Sequence, residues 1–158
     1  QFYVEDDIEE LDFEEDYMSS WTFHNKPFEE DINEWYGFVY RITEIDTQMS
    51  YIGKKLFWRS KTLPVTKSRK RKKKILVESD WRTYFGSSEE VKSLVEQKGR
   101  SNFKREILRL CKNKGDCSYY ELRYQMVEDV LLKPREYHNA FVGAKIHRKH
   151  LTLPTDPS

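Results

Sequence analysis

Two short runs of alternating side chains constrain this chain more than any other feature in it. In Phe38-Val39-Tyr40-Arg41-Ile42 the bulky residues Phe38, Tyr40 and Ile42 occupy every second position, the period of a β-strand. The polar stretch from Glu44 to Gln48 is short enough for a hairpin loop, and Ser50-Tyr51-Ile52-Gly53 resumes β-favouring residues. A loop over residues 44–47, closed by Thr43 opposite Gln48, sets Tyr40 directly across from Tyr51 on one face. A slip of one residue sends the two phenols to opposite faces. The pair reads in two ways: packed cross-strand aromatics, or, with Lys54 and Lys55 immediately after, a phosphate site.

Charge separates the chain into two parts. The 158 residues carry a net charge of +1, yet residues 1–34 hold 13 acidic side chains against Lys26 alone, a balance of −12. The remainder is therefore +13, from 27 basic and 14 acidic residues. A basic domain behind an acidic extension suits a polyanionic partner such as nucleic acid. No stretch approaches the roughly 18 apolar residues of a membrane helix, so no membrane is expected and the cytoplasm is the expected location. Cys111 and Cys117 form no CxxC pair, in keeping with a reduced compartment. There is no GxxxxGK loop, zinc-ligand spacing or GxSxG elbow.

The remaining elements follow from pattern. In the extension, Ile8 and Leu11 share a helical face, Trp21 to Phe28 reads as a turn-rich connection around Pro27, and Phe28 to Trp35 as one or two helical turns. Residues 67–74, KSRKRKKK, hold seven basic side chains in eight and predict a solvated loop within a basic insertion over 61–79. Ser87 with Glu90 fits a capping box and predicts a helix from Ser88 to Lys98, burying Val91, Leu94 and Val95 and stopping at Gly99. Residues 103–111 suit strand and helix alike. Ser118 with Glu121 makes a second capping box, before an apolar stripe of Leu122, Met126 or Val127, Val130 and Leu131 that ends at Pro134. Residues 151–158 form a tail.

The ordered set of motifs resembles the GIY-YIG nucleases, especially their phage-type, homing-endonuclease-like members. Tyr51-Ile52-Gly53 is the intact second half-motif, and Phe38-Val39-Tyr40 stands where Gly-Ile-Tyr belongs, with the tyrosine kept. Tyr84-Phe85-Gly86-Ser87-Ser88, a helix, Gly99 and Asn102-Phe103 to Leu108 resemble the family's Y-x-G-S box, helix and N-F-x-x-x-I-L strand. Glu121 matches its metal-binding glutamate. Tyr137-His138-Asn139 with Gly143 resembles its final Tyr-Asn and glycine segment, with one residue inserted. The resemblance spans about residues 36–146 and makes 103–111 a strand. It implies an α+β domain over 35–150, a three-stranded antiparallel sheet flanked by helices, behind the acidic extension.

It also implies a metal-dependent DNA endonuclease. Tyr40 would be the general base, its proton made labile by neighbouring cations, and Tyr51 a second phenol that positions water or phosphate. Glu121 would hold one Mg²⁺ (or Mn²⁺), and Asn139 would orient the glutamate or the phosphate. The family's arginine has no clean counterpart. Lys54, Lys55, Arg59 and Arg82 are the alternatives, Lys55 and Arg82 preferred, and Tyr84 replaces the following His or Tyr. Lys54, Arg59, Lys67, Arg69, Lys70, Arg71, Lys72, Lys73 and Lys74 would contact DNA. A second copy or another protein, met through the extension, is the further partner expected. Were the chain phage-encoded, its location would be the host cytoplasm. The competing reading is a decayed nuclease scaffold that binds nucleic acid. Each residue alone also has a bland role: a capping Glu121, a packed pair of tyrosines, and an Asn139 bonded to its own backbone.

Overall fold

The computed structural model describes residues 20–143, 148–150 and 152. The readings made for residues 1–19, including the helical face of Ile8 and Leu11, lie outside the described residues. So does most of the tail.

The alternating runs form β3 (Gly37–Glu44) and β4 (Ser50–Leu56), which pair antiparallel. β7 (Phe103–Cys111) lies antiparallel on the other side of β3 and resolves the ambiguity of that segment in favour of a strand. These three strands are the predicted antiparallel sheet. It extends further, because the Trp21–Phe28 stretch is not a turn-rich connection. Trp21–Phe23 (β1) runs parallel to β7, and Lys26–Pro27 (β2) folds back on it through His24 and Asn25, both at positive φ. The sheet order is β2-β1-β7-β3-β4. The helical turns expected before Trp35 reduce to a 3-10 turn, Ile32–Glu34.

The hairpin keeps its faces but not its register. Tyr40 pairs with Gly53 and Ile42 with Tyr51, two residues from the direct Tyr40–Tyr51 pairing. The loop is 45–48, with the Glu44 amide donating to the Met49 carbonyl at 2.8 Å. Glu44 belongs to the strand because its carboxylate is buried and paired with Lys98 at 2.8 Å, while Gln48 takes the positive φ the turn needs. A shift of two residues preserves the face, so both phenols remain on the same side.

Each side of the sheet has its own core. Phe38, Tyr40, Ile42, Phe103 and Ile107 pack against Trp21, Phe57, Trp81, Phe85 and Val91. Val91 comes from α1 (Glu89–Lys98), where Leu94 and Val95 are partly buried and Gly99 closes the helix as expected. On the opposite face Val39, Ile52 and Cys111 pack against Cys117 of α2 (Lys114–Val127) and against Val130.

Both helix starts differ from the capping boxes. Ser88, not Ser87, accepts from the Val91 amide. Asn113 caps α2 by accepting from the Asp116 amide at 2.8 Å, so Gly115 and Ser118 lie inside that helix. The helix also ends at Val127, so the expected stripe through Val130 and Leu131 is not one helical face, although Val130 is buried from the turn that follows. Met126, Val127 and Leu131 are exposed, and the side turned to the sheet carries Cys117, Tyr120, Tyr124 and Gln125.

The basic insertion is not simply a loop. Trp58–Leu63 (β5) and Lys73–Glu78 (β6) form a separate two-stranded antiparallel ribbon, with Lys73 and Lys74 within it. The β-branched Ile75 and Val77 supply enough β character for the neighbouring like charges to sit on a strand. Among the described residues no helix is long and apolar enough to cross a membrane.

Candidate active site

The site is built around the middle of β4. Tyr40 is fully buried, and its hydroxyl makes no well-formed hydrogen bond with the protein. The Tyr84 hydroxyl is its loose hydrogen-bonding neighbour. The Tyr40 ring lies 6.3 Å from that of Tyr51 and 5.8 Å, edge-on, from that of Tyr84. The Tyr51 hydroxyl meets the Ser87 hydroxyl at 3.1 Å. This cluster exists because of two glycines. A Cβ on Gly53 would lie 2.5 Å from the Tyr40 hydroxyl and 3.0 Å from the Tyr51 ring. At Gly86 the reason is the backbone, whose φ of +97° favours glycine; a Cβ there would only be in ordinary contact with the same hydroxyl, at 3.6 Å. The glycine of the YIG half-motif is therefore the floor on which Tyr40 rests. β7 adds a local irregularity: the β3–β7 register shifts between Val39 and Tyr40, a bulge of the kind that re-aims side chains beside active sites.

The free edge of β4 is occupied by three side chains. Asn139 uses its whole amide on Ile52, accepting from its N–H at 3.1 Å and donating to its carbonyl at 2.8 Å. Gln125 donates to the same carbonyl at 3.0 Å. Glu121, one turn before Gln125 on α2, accepts from the Lys54 backbone amide. The segment after α2 completes the edge, with the Ser50 amide donating to the Glu136 carbonyl and the His138 amide to the Ser50 carbonyl, both at 2.8 Å. Glu121 is thus no capping residue, and Asn139 holds β4 rather than its own loop. A parallel lattice of backbone and amide bonds brings them to the strand that carries Tyr51 and Gly53.

Electrostatics at the site run against one expectation. Burial holds the Tyr40 phenol well above its ordinary range, and Tyr84, Tyr51 and Glu121 push it further in that direction. The lysines beside the hairpin do not loosen its proton; their side chains are engaged elsewhere. Burial also raises the Tyr84 phenol. Glu121 is raised by burial as well, with Lys54 opposing. Lys54 donates to the Ser118 hydroxyl at 2.8 Å, which places its ammonium on the Glu121 side. Lys55 lies 4.1 Å above the Tyr84 ring and donates to Asp80 at 2.6 Å. That hydrogen bond holds the Asp80 carboxyl below the usual range. Arg82 turns to Glu78 at 3.4 Å and lies over Trp81, away from the phenols. Arg59 and the run from Lys67 to Lys74 belong to the ribbon and its tip.

Four contributors were not among the candidates. Gly86 and Ser87 lie inside the YFGSS box, whose pattern already marked them. Gln125 follows Glu121 at helical spacing. Arg105, buried on the core face of β7, donates to the carbonyls of Arg82 at 3.0 Å and Tyr84 at 2.8 Å, and stacks on Phe85 at 4.2 Å. It pins the Tyr84 segment to the sheet. The substituted half-motif also has a packing reason. Phe38 fills an aromatic pocket, 4.9 Å from both Trp21 and Phe57.

An antiparallel hairpin with two tyrosines over one glycine, and a glutamate from the following helix at its edge, is the arrangement that the resemblance to GIY-YIG nucleases implies. Over residues 21–146 the chain matches the family described as "Putative endonuclease segE, GIY-YIG domain", and it belongs to that family. No curated protein matched it, and no solved structure did. Membership makes this an endonuclease domain of the GIY-YIG type, with DNA as the substrate class.

Proposed function

We propose that the chain is a working, metal-dependent DNA endonuclease that hydrolyses one phosphodiester bond per turnover at the Tyr40–Glu121 site. The observation that carries this reading is the gathering of the Tyr40 hydroxyl, buried against Gly53, with Tyr51, Tyr84 and Glu121 all close enough to act on it. Phenols and a carboxylate converging on one point fit proton transfer with water and phosphate.

The donor set fits a single magnesium-type ion. Among the described residues no three His, Cys, Asp or Glu side chains cluster to cage a metal. Mg²⁺ does not require a cage, since it keeps several waters and takes one or two carboxylates plus substrate phosphate. Glu121 is the carboxylate that would hold it. When bound, the ion supplies charge neutralisation at the scissile phosphate and the departing oxygen, and offsets the Glu121 charge that helps keep the Tyr40 proton in place.

The chain's own groups do the rest. Tyr40, after giving up its own proton to solvent, would hold the attacking water and take its proton as the new phosphorus–oxygen bond forms and the bond to the departing oxygen breaks. Tyr51, positioned by Ser87, bonds the phosphate. Lys55, released from Asp80, would stabilise the added negative charge from the Tyr51 face, and Lys54, released from Ser118, from the Glu121 side, while Asn139 and Gln125 keep β4 from shifting. The test is plasmid nicking with Mg²⁺ or with chelator, for the wild type and Glu121→Ala. Cleavage that needs the metal and disappears in the variant is expected. Duplex binding without cleavage under any divalent metal overturns the reading and leaves the decayed-scaffold alternative.

A further inference from the structure

We infer that the β5–β6 ribbon is a reading head that enters the major groove of duplex DNA and selects bases within one helical turn of the cut. This rests on DNA being the substrate of the domain, but not on the chemistry proposed for Tyr40.

The ribbon stands apart from the body. Neither strand joins the five-stranded sheet. An isolated two-stranded hairpin is marginal in water, and this one is stable through its root. Phe57 is fully buried, the Trp58 indole donates to the Trp35 carbonyl at 2.9 Å, and the Ser79 amide donates to the Phe57 carbonyl at 2.7 Å. The tip is folded too: Arg69 donates to the Pro64 carbonyl at 2.6 Å and, with its backbone, meets Thr66. A braced ribbon can carry specificity, whereas a slack basic loop gives only sequence-blind attraction.

Its charge fits one partner. Residues 58–78 contain nine basic side chains and the single acid Glu78. Among the described residues Lys61, Lys67, Lys70, Lys72, Lys73 and Lys74 make no ion pair. That much unneutralised charge on one projection is an electrostatic footprint for phosphates.

The register then sorts the faces. Arg59 pairs with Val77, Lys61 with Ile75 and Leu63 with Lys73 on one side of the ribbon. Ser60 pairs with Leu76 and Thr62 with Lys74 on the other. The second face is the unusual one. Leu76 is 72% exposed, directly opposite Ser60 and diagonal to Thr62, with Lys74 and Glu78 on either side of it along its own strand. An exposed leucine facing hydroxyls beside lysines is not packed into either core. It matches the major groove, where apolar groups meet the thymine methyl and Ser, Thr and Lys reach base edges. The chemistry of the contacts decides between the grooves. Two-stranded ribbons enter either one, but the thymine methyl that an exposed leucine would meet is displayed only in the major groove.

The ribbon is also tied to the chemistry by the chain. It leaves β4 directly after Leu56 and returns through Asp80 and Trp81 to Tyr84, Gly86 and Ser87. Ser60 and Thr62 lie 7 and 9 residues beyond Gly53. At a maximum of about 3.6 Å per residue this reach is under roughly 33 Å, less than one turn of duplex, about 34–36 Å.

Methylation interference on a randomised duplex pool tests this, using Glu121→Gln so that binding is scored without cutting. Dimethyl sulfate marks guanine N7 in the major groove and adenine N3 in the minor groove of the same molecules. Interference at guanine N7 is expected within one turn of the bond the wild type cuts, or in a single short patch should the wild type not cut. It should vanish in the exposed-surface variants Leu76→Ala and Thr62→Ala, which lose about tenfold in base preference with an unchanged salt dependence. Interference only at adenine N3, or base preference that the two variants leave intact, overturns the proposal while a cleaving wild type keeps the nuclease reading alive. Failure of cleavage with ribbon-dependent N7 interference has the opposite meaning: the reading head stands and the enzyme does not. Absence of any duplex binding overturns the ribbon directly.

Discussion

Tyr40 illustrates how one residue is set by what its neighbours lack. Its ring fits because position 53 has no side chain, and its hydroxyl lies near position 86 where φ is +97°. Gly53→Ala puts a methyl 2.5 Å from that hydroxyl. We expect the variant to fold, with a lowered melting temperature corresponding to about 1–3 kcal/mol of overpacking. Cleavage should fall by roughly 100-fold or more, because an ångström of misplacement suffices for that. A variant with full nicking activity would remove the Tyr40–Gly53 contact from the mechanism. The alternation of residues 38–42 fixed the strand face of Tyr40; that Tyr51 shares it depended on the register, which differs from the expected one by an even step. The protonation of Tyr40 was not legible, because it depends on burial under Trp21, Tyr84 and Tyr51, residues drawn from distant parts of the chain.

Strand β4 is an edge strand, and edge strands slip or pair elsewhere unless covered. Asn139 and Gln125 cover it at Ile52. Asn139→Ala leaves the Ile52 amide buried without a partner, at a cost of about 1–3 kcal/mol. Hydrogen exchange at that amide should accelerate, while amides at the β3–β7 junction keep their protection. Equal acceleration throughout the sheet would mean global destabilisation, not a loosened edge. The hairpin turn has its own signature. Burial pushes the Glu44 carboxyl up, but hydrogen bonds from Lys98 and Thr47 outweigh it and leave it below the usual range. A depressed folded value means its stabilisation is complete above the unfolded pKa, about 4.3, and is lost as pH falls through the folded value. Thermal melts of Glu44→Gln should therefore show a flatter acid limb than the wild type; parallel limbs would refute the pairing. The same carboxylate explains why the register escaped the pattern. A glutamate after an alternating run reads as loop, and only Lys98, arriving from the end of α1, makes it strand. The helix starts were missed for a similar reason. Serines with a glutamate three positions later offer a cap, but Ser87 is taken by Tyr51 and Ser118 by Lys54.

At the scale of the whole molecule, a sheet with a core on each face carries the site at one edge and sends a basic ribbon outward from it. Neutralising Lys70 through Lys74 to serine should weaken duplex binding similarly for all sequences. It should also reduce the slope of log affinity against log salt by up to about 4.5, at roughly 0.9 for each phosphate that is no longer neutralised. An unchanged slope would show that the ribbon tip does not touch phosphate. The sequence alone determined the α+β class, the strands that carry Tyr40 and Tyr51, the basic character of the domain and its membership in an endonuclease family. These follow from local period, composition and ordered motifs, which are properties of short segments. Tertiary structure decided the two-residue register, the caps, the ribbon that replaces a slack loop, the path of Arg105, and the meeting of Glu121, Asn139 and Gln125 along β4. Each of these depends on which distant group competes for a given hydrogen bond or cavity, and that competition is settled only when the two faces of the sheet are packed.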